Sequence, residues 1–273
     1  MIHQTRNLSR REALERLSAG TLLALGLWPG ALRAENQVPD GSFRFLVIND
    51  THSTSPECCR YLEGAVAQMK NERAELCLHA GDLTDTGDKR YFQAVKDIFG
   101  GLPGVVYPVI GNHDYLTQSD RAAYGQIFPG RLNYSFQHRG WQFIGLDTTE
   151  GQHYEKTQIQ SATFEWLVDS LPRLNQKTPT VVFTHFPLGA DVPYRPANAD
   201  DLLDRFRPFN LQAVFSGHYH GFTERKAGRV ALTTNRCCSL RRDNHDGSKE
   251  KGYFLCTAQD GQIQRRFVEY KPA

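Results

Sequence analysis

The sequence predicts an α/β fold, and three observations predict it. Short apolar, β-branched runs recur along the chain, and each breaks off into a polar cluster. Helix-compatible stretches lie between those runs. From Val230 onward the pattern changes to strands and turns alone. Near-continuous apolar runs of this length read as strands buried on both faces. Their alternation with helices is the pattern of a sheet with helices packed over it.

In chain order, Phe43–Ile48 leads into Asn49-Asp50-Thr51-His52, and Leu76-Cys77-Leu78 leads into His79-Ala80-Gly81-Asp82. Val105–Ile110 leads into Gly111-Asn112-His113-Asp114. Thr180–Phe183 precedes Thr184-His185, and Ala213-Val214-Phe215 precedes Ser216-Gly217-His218-Tyr219-His220. Helices are expected over Glu57–Asn71, Lys89–Phe99, Gln158–Leu171 and Ala199–Phe206. The later strands are Val230–Thr234, Tyr253–Thr257 and, after the Asp260-Gly261 turn, Ile263–Tyr270. They are expected to form a second, more antiparallel sheet within the same domain. No linker, repeat or low-complexity segment follows residue 41.

The chain has 273 residues, enough for one or two domains. Its 40% hydrophobic and 23% charged content excludes a disordered chain. A formal net charge of +2 is too small to argue for binding duplex nucleic acid. Even that charge belongs to the amino terminus. Residues 1–34 hold Arg6, Arg10, Arg11, Arg16 and Arg33 against Glu12 and Glu15, which leaves 27 basic and 28 acidic residues beyond them.

That segment reads as an export signal, with residues 35–273 as the working domain. Ser9-Arg10-Arg11-Glu12-Ala13-Leu14 stands ahead of the mildly apolar run Leu17 to Leu32, and Ala34 offers a small residue before Glu35. The paired arginines resemble a twin-arginine signal, read by export machinery and not itself an anchor. Ala13 departs from the large apolar residue usual at that place. The other readings are a helix packed on the domain or a short membrane anchor. The run is shorter than the roughly 20 residues a span needs, and Gly20, Gly26, Pro29 and Gly30 interrupt it. A periplasmic or otherwise exported protein is therefore expected, with no membrane span beyond the leader. Six cysteines follow the leader, an even number that permits disulfides in an exported chain. Cys77 and Cys256 read as buried strand residues. A bridge between the Cys58-Cys59 and Cys237-Cys238 pairs is possible, and the absence of any C-x-x-C argues against a cysteine zinc site.

The polar clusters carry the chemistry. Taken singly, Asp82 and Asn112 are ordinary turn or cap residues and His185 an ordinary buried histidine. Taken together, five clusters of Asp, Asn and His sit where predicted strands end, which is where open α/β sheets bind ligands. These side chains offer hard oxygen and borderline nitrogen donors suited to Mn, Fe or Zn. In an extended Asp-x-His or His-x-His segment, alternate side chains reach a common centre. A carboxylate such as Asp82 can bridge two ions. Two divalent ions against two carboxylates and one bound hydroxide leave a charge of about +1, which welcomes an anion such as phosphate.

The series Asp50-x-His52, Gly81-Asp82, Gly111-Asn112-His113-Asp114, His185 and Gly217-His218-x-His220 resembles the calcineurin-like metallophosphoesterase superfamily over residues 43–220. The resemblance implies a four-layer α/β/β/α sandwich with two mixed β-sheets and a dinuclear centre at their strand ends. By position it implies one metal held by Asp50, His52, Asp82 and His220, and a second held by Asp82, Asn112, His185 and His218. His113 would act on the phosphoryl group or the leaving oxygen, and Asp114 would orient it, unless Asp114 is a turn or cap residue. The expected activity is hydrolysis of a small phosphodiester by a metal-activated water. A phosphomonoesterase of the same fold and a non-catalytic scaffold are the alternatives.

Ile110 and Asp114 depart from the pattern of protein Ser/Thr phosphatases, and Asp85 replaces the tyrosine of purple acid phosphatases. The Ala80–Gly87 run, the Leu102-Pro103 to Pro108 approach and the Gly111–Asp114 block look most like the class III cyclic-nucleotide phosphodiesterase branch. Nucleotide-type and glycerol-type esters are equally open. In the segment 235–251, Arg236, Arg241 and Arg242 are candidate substrate-gripping residues, and a solvated charged loop is the other reading. His79 reads as a core histidine, and His153 and His245 as surface residues.

Overall fold

Strand β1 (Phe43–Ile48) forms where the first apolar run predicts it. In the computed structural model, which describes residues 41–272, Phe45 and Val47 face one hydrophobic cluster and Leu46 and Ile48 another. Alternation along a strand buried on both faces is what an unbroken apolar run encodes. The export signal expected over residues 1–34, and the domain start at 35, lie outside the described residues.

The first sheet has the order β11-β10-β1-β2-β3. Strands β2 (Leu76–His79) and β3 (Val105–Pro108) continue in parallel from β1. Strands β10 (Gly252–Gln259) and β11 (Gln262–Glu269) add antiparallel on its other side. The second sheet has the order β4-β5-β6-β7-β9-β8. Its strands β5 (Trp141–Leu146), β6 (Thr180–Thr184), β7 (Leu211–Ser216) and β9 (Val230–Thr234) are parallel. Strands β4 (Tyr134–His138) and β8 (Thr223–Ala227) close its edges antiparallel.

Phe43, Phe45, Leu76 and Leu78 of the first sheet interdigitate with Phe143, Val181, Phe183 and Phe215 of the second. Helices α1 (Pro56–Lys70), α2 (Lys89–Phe99) and α3 (Ala122–Ile127) cover the outer face of the first sheet. Helices α4 (Ser161–Ser170) and α5 (Ala199–Arg205) cover the second. The result is the four-layer α/β/β/α sandwich with two mixed sheets. Helix α1 starts where Ser55 caps it, its hydroxyl accepting from Cys58 N at 3.2 Å, with Pro56 in the first turn.

Two sequence expectations change, and one hairpin is added. No separate antiparallel sheet follows Val230, because β9 joins the second sheet while β10 and β11 join the first. The pairing of Val47 with Phe254 spans the whole domain and has no local signature. The β4–β5 hairpin went unread, although Arg139 and Gly140 both take positive φ between its strands, as a two-residue hairpin turn requires. All six cysteines are free thiols, so the bridge between the two pairs does not form. Cys77 and Cys256 are buried strand residues, as expected. Among the described residues no helix is long and apolar enough to cross a membrane.

Candidate metal centre

The carboxyl ends of β1, β2 and β3 meet those of β6 and β7, and the polar clusters lie on the segments that leave them. Backbone hydrogen bonds fix the segments to one another. Asp50 N donates to Gly81 O at 3.0 Å, and Thr51 N and His52 N share Asp82 O at 2.9 and 3.0 Å. Gly217 N reaches His185 O at 3.0 Å. The two sheets are joined by a ligand side chain, since His218 N donates to Asp50 Oδ2 at 3.0 Å. Asn112 sits in a short 3-10 turn, Asn112–Asp114, whose His113 N donates to Asp82 Oδ1 at 2.9 Å.

This geometry is strained. Asp50, His52, Asp82, His218 and His220 all adopt left-handed backbone, with φ between 44° and 65°. Such conformations are uncommon for residues other than glycine and persist where surrounding structure enforces them, often at functional sites. Close approach adds to it. A Cβ at Gly111 would lie 2.1 Å from Asp82 Oδ1, and one at Gly217 would lie 2.7 Å from Asp50 Oδ2.

The histidines reveal what the centre is built to hold. Each commits one ring nitrogen to an acceptor: His185 Nδ1 to Ala80 O at 2.9 Å, His220 Nδ1 to Asp243 O at 3.2 Å, His52 Nδ1 to Asp85 Oδ1 at 3.0 Å and His218 Nε2 to Tyr154 O at 2.8 Å. Those acceptors place the proton on the outer nitrogen, so the inner nitrogen of each neutral ring presents a lone pair. The inner nitrogens face one another and the oxygen donors. His52 Nε2 is 3.1 Å from His220 Nε2, and His185 Nε2 is 3.2 Å from His218 Nδ1 and 3.0 Å from Asn112 Oδ1. Asp82 Oδ2 is buried with no hydrogen-bond partner, 3.5 Å from His52 Nε2 and 3.4 Å from His185 Nε2. Lone pairs converging at such distances repel unless cations lie among them. The donor set therefore fits two divalent ions. Asp50, His52, Asp82 and His220 form one group and Asp82, His185 and His218 another, with ligand atoms within 4.8 Å and Asp82 common to both.

The electrostatics agree. Burial alone would raise the Asp50 carboxyl, but His220 and His185 hold it below the usual range. Burial acts likewise on Asp82, and His185 and His113 reverse it. Burial opposes protonation of His185, yet Asp82 and Asp50 push it up to about 9. Burial and then His185 lower His218 to about 3. A proton and a divalent cation compete for the same inner nitrogens.

All seven expected ligands are thus brought together. His113 borders the same cleft, about a third exposed, with Nδ1 3.1 Å from Asp85 O and 3.6 Å from Asp85 Oδ1. Asp114 does not orient it. The Asp114 carboxylate accepts from Leu83 N, Thr84 N, Thr84 Oγ1 and Gly111 N at 2.9 to 3.2 Å, stapling the segment after β2 to the turn after β3. Burial and the Asp82 charge push its pKa up to about 7, against backbone donors that favour the charged form. His79 is fully buried beneath the centre, its Nε2 3.1 Å from Thr51 Oγ1.

The cleft above the centre has a volume of about 660 Å³. Arg241 and Arg242 line it, but both are engaged by carboxylates. Arg242 forks onto Asp85, with Nε at 3.1 Å, and Arg241 Nη2 lies 3.0 Å from Glu57 Oε2. Arg236 is not part of the cleft; it packs over the Phe267 ring and donates to Ser248 Oγ at 2.9 Å. His153 is exposed as expected, whereas His245, also exposed, lines the cleft. Sequence reasoning missed Asp85, Tyr154, Tyr194 and His245. Asp85 had a signal, three residues past Asp82 in a run already singled out; the others lie on loops without any motif.

Residues 43–222 match the calcineurin-like phosphoesterase family. The chain is 25% identical over 190 residues to a 3′,5′-cyclic-nucleotide phosphodiesterase of Nostoc sp. (strain PCC 7120), covering 63% of this chain and 70% of that protein. It is 25% identical over 119 residues to a probable cyclic nucleotide phosphodiesterase of Synechococcus sp., covering 44% of this chain and 45% of that one. The match thus spans less than half of the Synechococcus protein. Among solved structures, a dimetal phosphatase from Danio rerio superposes with a TM-score of 0.57 at 15% identity, over 84% of this chain and 99% of that one, a likeness of fold.

Proposed function

The chain belongs to the calcineurin-like phosphoesterase family, and from that premise we propose that it hydrolyses a phosphodiester at a dinuclear metal centre. The observation that carries the reading is the convergence of inward lone pairs from four histidines, two of them within 3.5 Å of the partnerless Asp82 Oδ2. Asp50, His52, Asp82 and His220 would hold one cation, and Asp82, Asn112, His185 and His218 the other. When bound, such a pair lowers the pKa of water and neutralises charge on phosphoryl oxygens. The chain's own residues do the rest. Asp85 holds Nδ1 of His113, which turns Nε2 toward the cleft, where it delivers a proton to the leaving oxygen. Arg242 in turn braces Asp85.

Charge supports a diester. With Arg241 and Arg242 each beside a carboxylate, the rim adds little net positive charge beyond the metals for the second charge of a monoester. The names of the Nostoc and Synechococcus relatives point the same way. The test is steady-state turnover of aryl phosphodiester and aryl phosphomonoester by protein loaded with Mn, Fe or Zn. The diester is expected to turn over faster by kcat/KM. A faster monoester makes the protein a monoesterase, and no turnover of either by protein holding two ions per chain ends the catalytic reading.

Export belongs to the same proposal. Arg10-Arg11 ahead of an interrupted apolar run supports twin-arginine delivery to the periplasm. Replacing both with lysine should retain the protein inside the cell, and unchanged export would refute this route.

A further inference from the structure

One wall of the cleft is aromatic, and nothing in the proposed hydrolysis uses it. Tyr154, Tyr194 and His245 line the space above the centre on the side of His218 and His220. Tyr154 is 56% exposed, a large ring left facing solvent at the mouth. Its backbone is pinned by the bond from His218 Nε2 to Tyr154 O at 2.8 Å, so the segment that carries the ring is tied to the metal centre. Tyr194 holds a left-handed backbone, with φ 65°, and stands edge-on to His218 with ring centroids 5.2 Å apart. The rings continue from Tyr194 to Tyr154 at 6.4 Å and to His245 at 6.0 Å, and His245 lies nearly parallel to His220 at 5.1 Å. Aromatic rings at such separations, with one side open, offer faces and edges to a further planar ring.

The cleft is also lined by Arg241, Arg242 and Asp85, and each arginine sits beside a carboxylate as described above. The arginines and their carboxylates nearly cancel in charge, which favours one phosphoryl group at the metals over a second on the rim. The geometry points to a subsite, formed by Tyr154, Tyr194 and His245, for a planar aromatic ring carried by an ester with a single phosphoryl group. This rests on the phosphoesterase reading, since the metal centre must anchor that group. The ring is an aryl alcohol or a nucleobase; both present the same π-face.

The test measures equilibrium binding, so that it does not depend on turnover. Metal-loaded protein is titrated with phenylphosphonate and methylphosphonate, and separately with adenosine 5′-monophosphate and ribose 5-phosphate. Phenylphosphonate should bind about tenfold more tightly than methylphosphonate. Tyr194→Ala should bring that ratio near one, and Tyr194→Phe should restore it. Tyr154→Ala, at an exposed position where folding is not at stake, should reduce the ratio while metal content stays the same. A preference in both pairs assigns the ring to a nucleobase, and a preference in the phenyl pair alone assigns it to an aryl group. Equal binding within both pairs overturns the subsite and leaves the hydrolase reading standing. If no phosphoryl ligand binds protein that holds its metals, both fall.

Discussion

Asp85, which no sequence motif marks, joins three side chains around the centre. One carboxylate oxygen meets both His52 Nδ1 and the Arg242 guanidinium, and its carbonyl meets His113 Nδ1. Groups that orient metal ligands typically matter 10- to 100-fold in affinity or activity. Asp85→Asn should therefore lower kcat/KM by about 10- to 100-fold and weaken metal retention, read by kinetics and elemental analysis. His113→Ala should separate the two effects. It should slow turnover by about 100-fold with two metals still bound; loss of a metal would make His113 a ligand. At this scale the residue types were legible in the sequence. Asp, His and Asn at strand ends declare a metal centre by their donor chemistry. Which carboxylate serves which partner was not legible. Asp114 is the neighbour of His113 in sequence, yet its oxygens point back to Leu83, Thr84 and Gly111, and Asp85 arrives from another strand end.

At the scale of elements, the turns after the strands do the positioning. Gly111 lets the turn after β3 lie against Asp82, and a methyl group there would meet Asp82 Oδ1 at 2.1 Å and Asp82 N at 2.3 Å. The backbone atom cannot give way cheaply. Gly111→Ala should displace Asp82, lose at least one metal per chain and cost about 100-fold in activity, since a misplacement near 1 Å is worth that much. Wild-type metal content and rate in this variant would show the turn to be pliable. Helices α1, α2, α4 and α5 were legible to within three residues because apolar spacing is local, helped at α1 and α2 by the caps Ser55 and Asp88. The β4–β5 hairpin did carry a local signal, since Tyr134–His138 alternates inward and exposed residues ahead of Arg139-Gly140, but β4 has only five residues.

The whole molecule confines two carboxylates and four histidines almost without solvent. Asp50, Asp82 and His185 are at most 1% exposed. Each cation at about a hundredfold excess over its Kd adds about 2.7 kcal/mol of stability. A kcal/mol moves Tm by about 2–4 °C in a chain of this size. Chelation should lower Tm by roughly 10 °C or more, measured by calorimetry, and re-addition of metal should restore it. An unchanged Tm would mean that the lone pairs are satisfied without cations. Thiol titration checks the packing independently. Five cysteines are buried and Cys59 is half-exposed, so about one thiol should react in the native protein and all six after denaturation. Fewer than six would reveal a disulfide.

The sequence by itself determined the alternation of strand and helix and the seven donors at the strand ends. Hydrophobic periodicity and ligand chemistry are local properties, carried within a few residues of each position. Only the tertiary structure decided that β10 and β11 extend the first sheet, that Arg242 pairs with Asp85, and that three rings without a motif wall the cleft. Those facts rest on contacts between residues as far apart as Asp85 and Arg242, and no local pattern records which distant surfaces will meet.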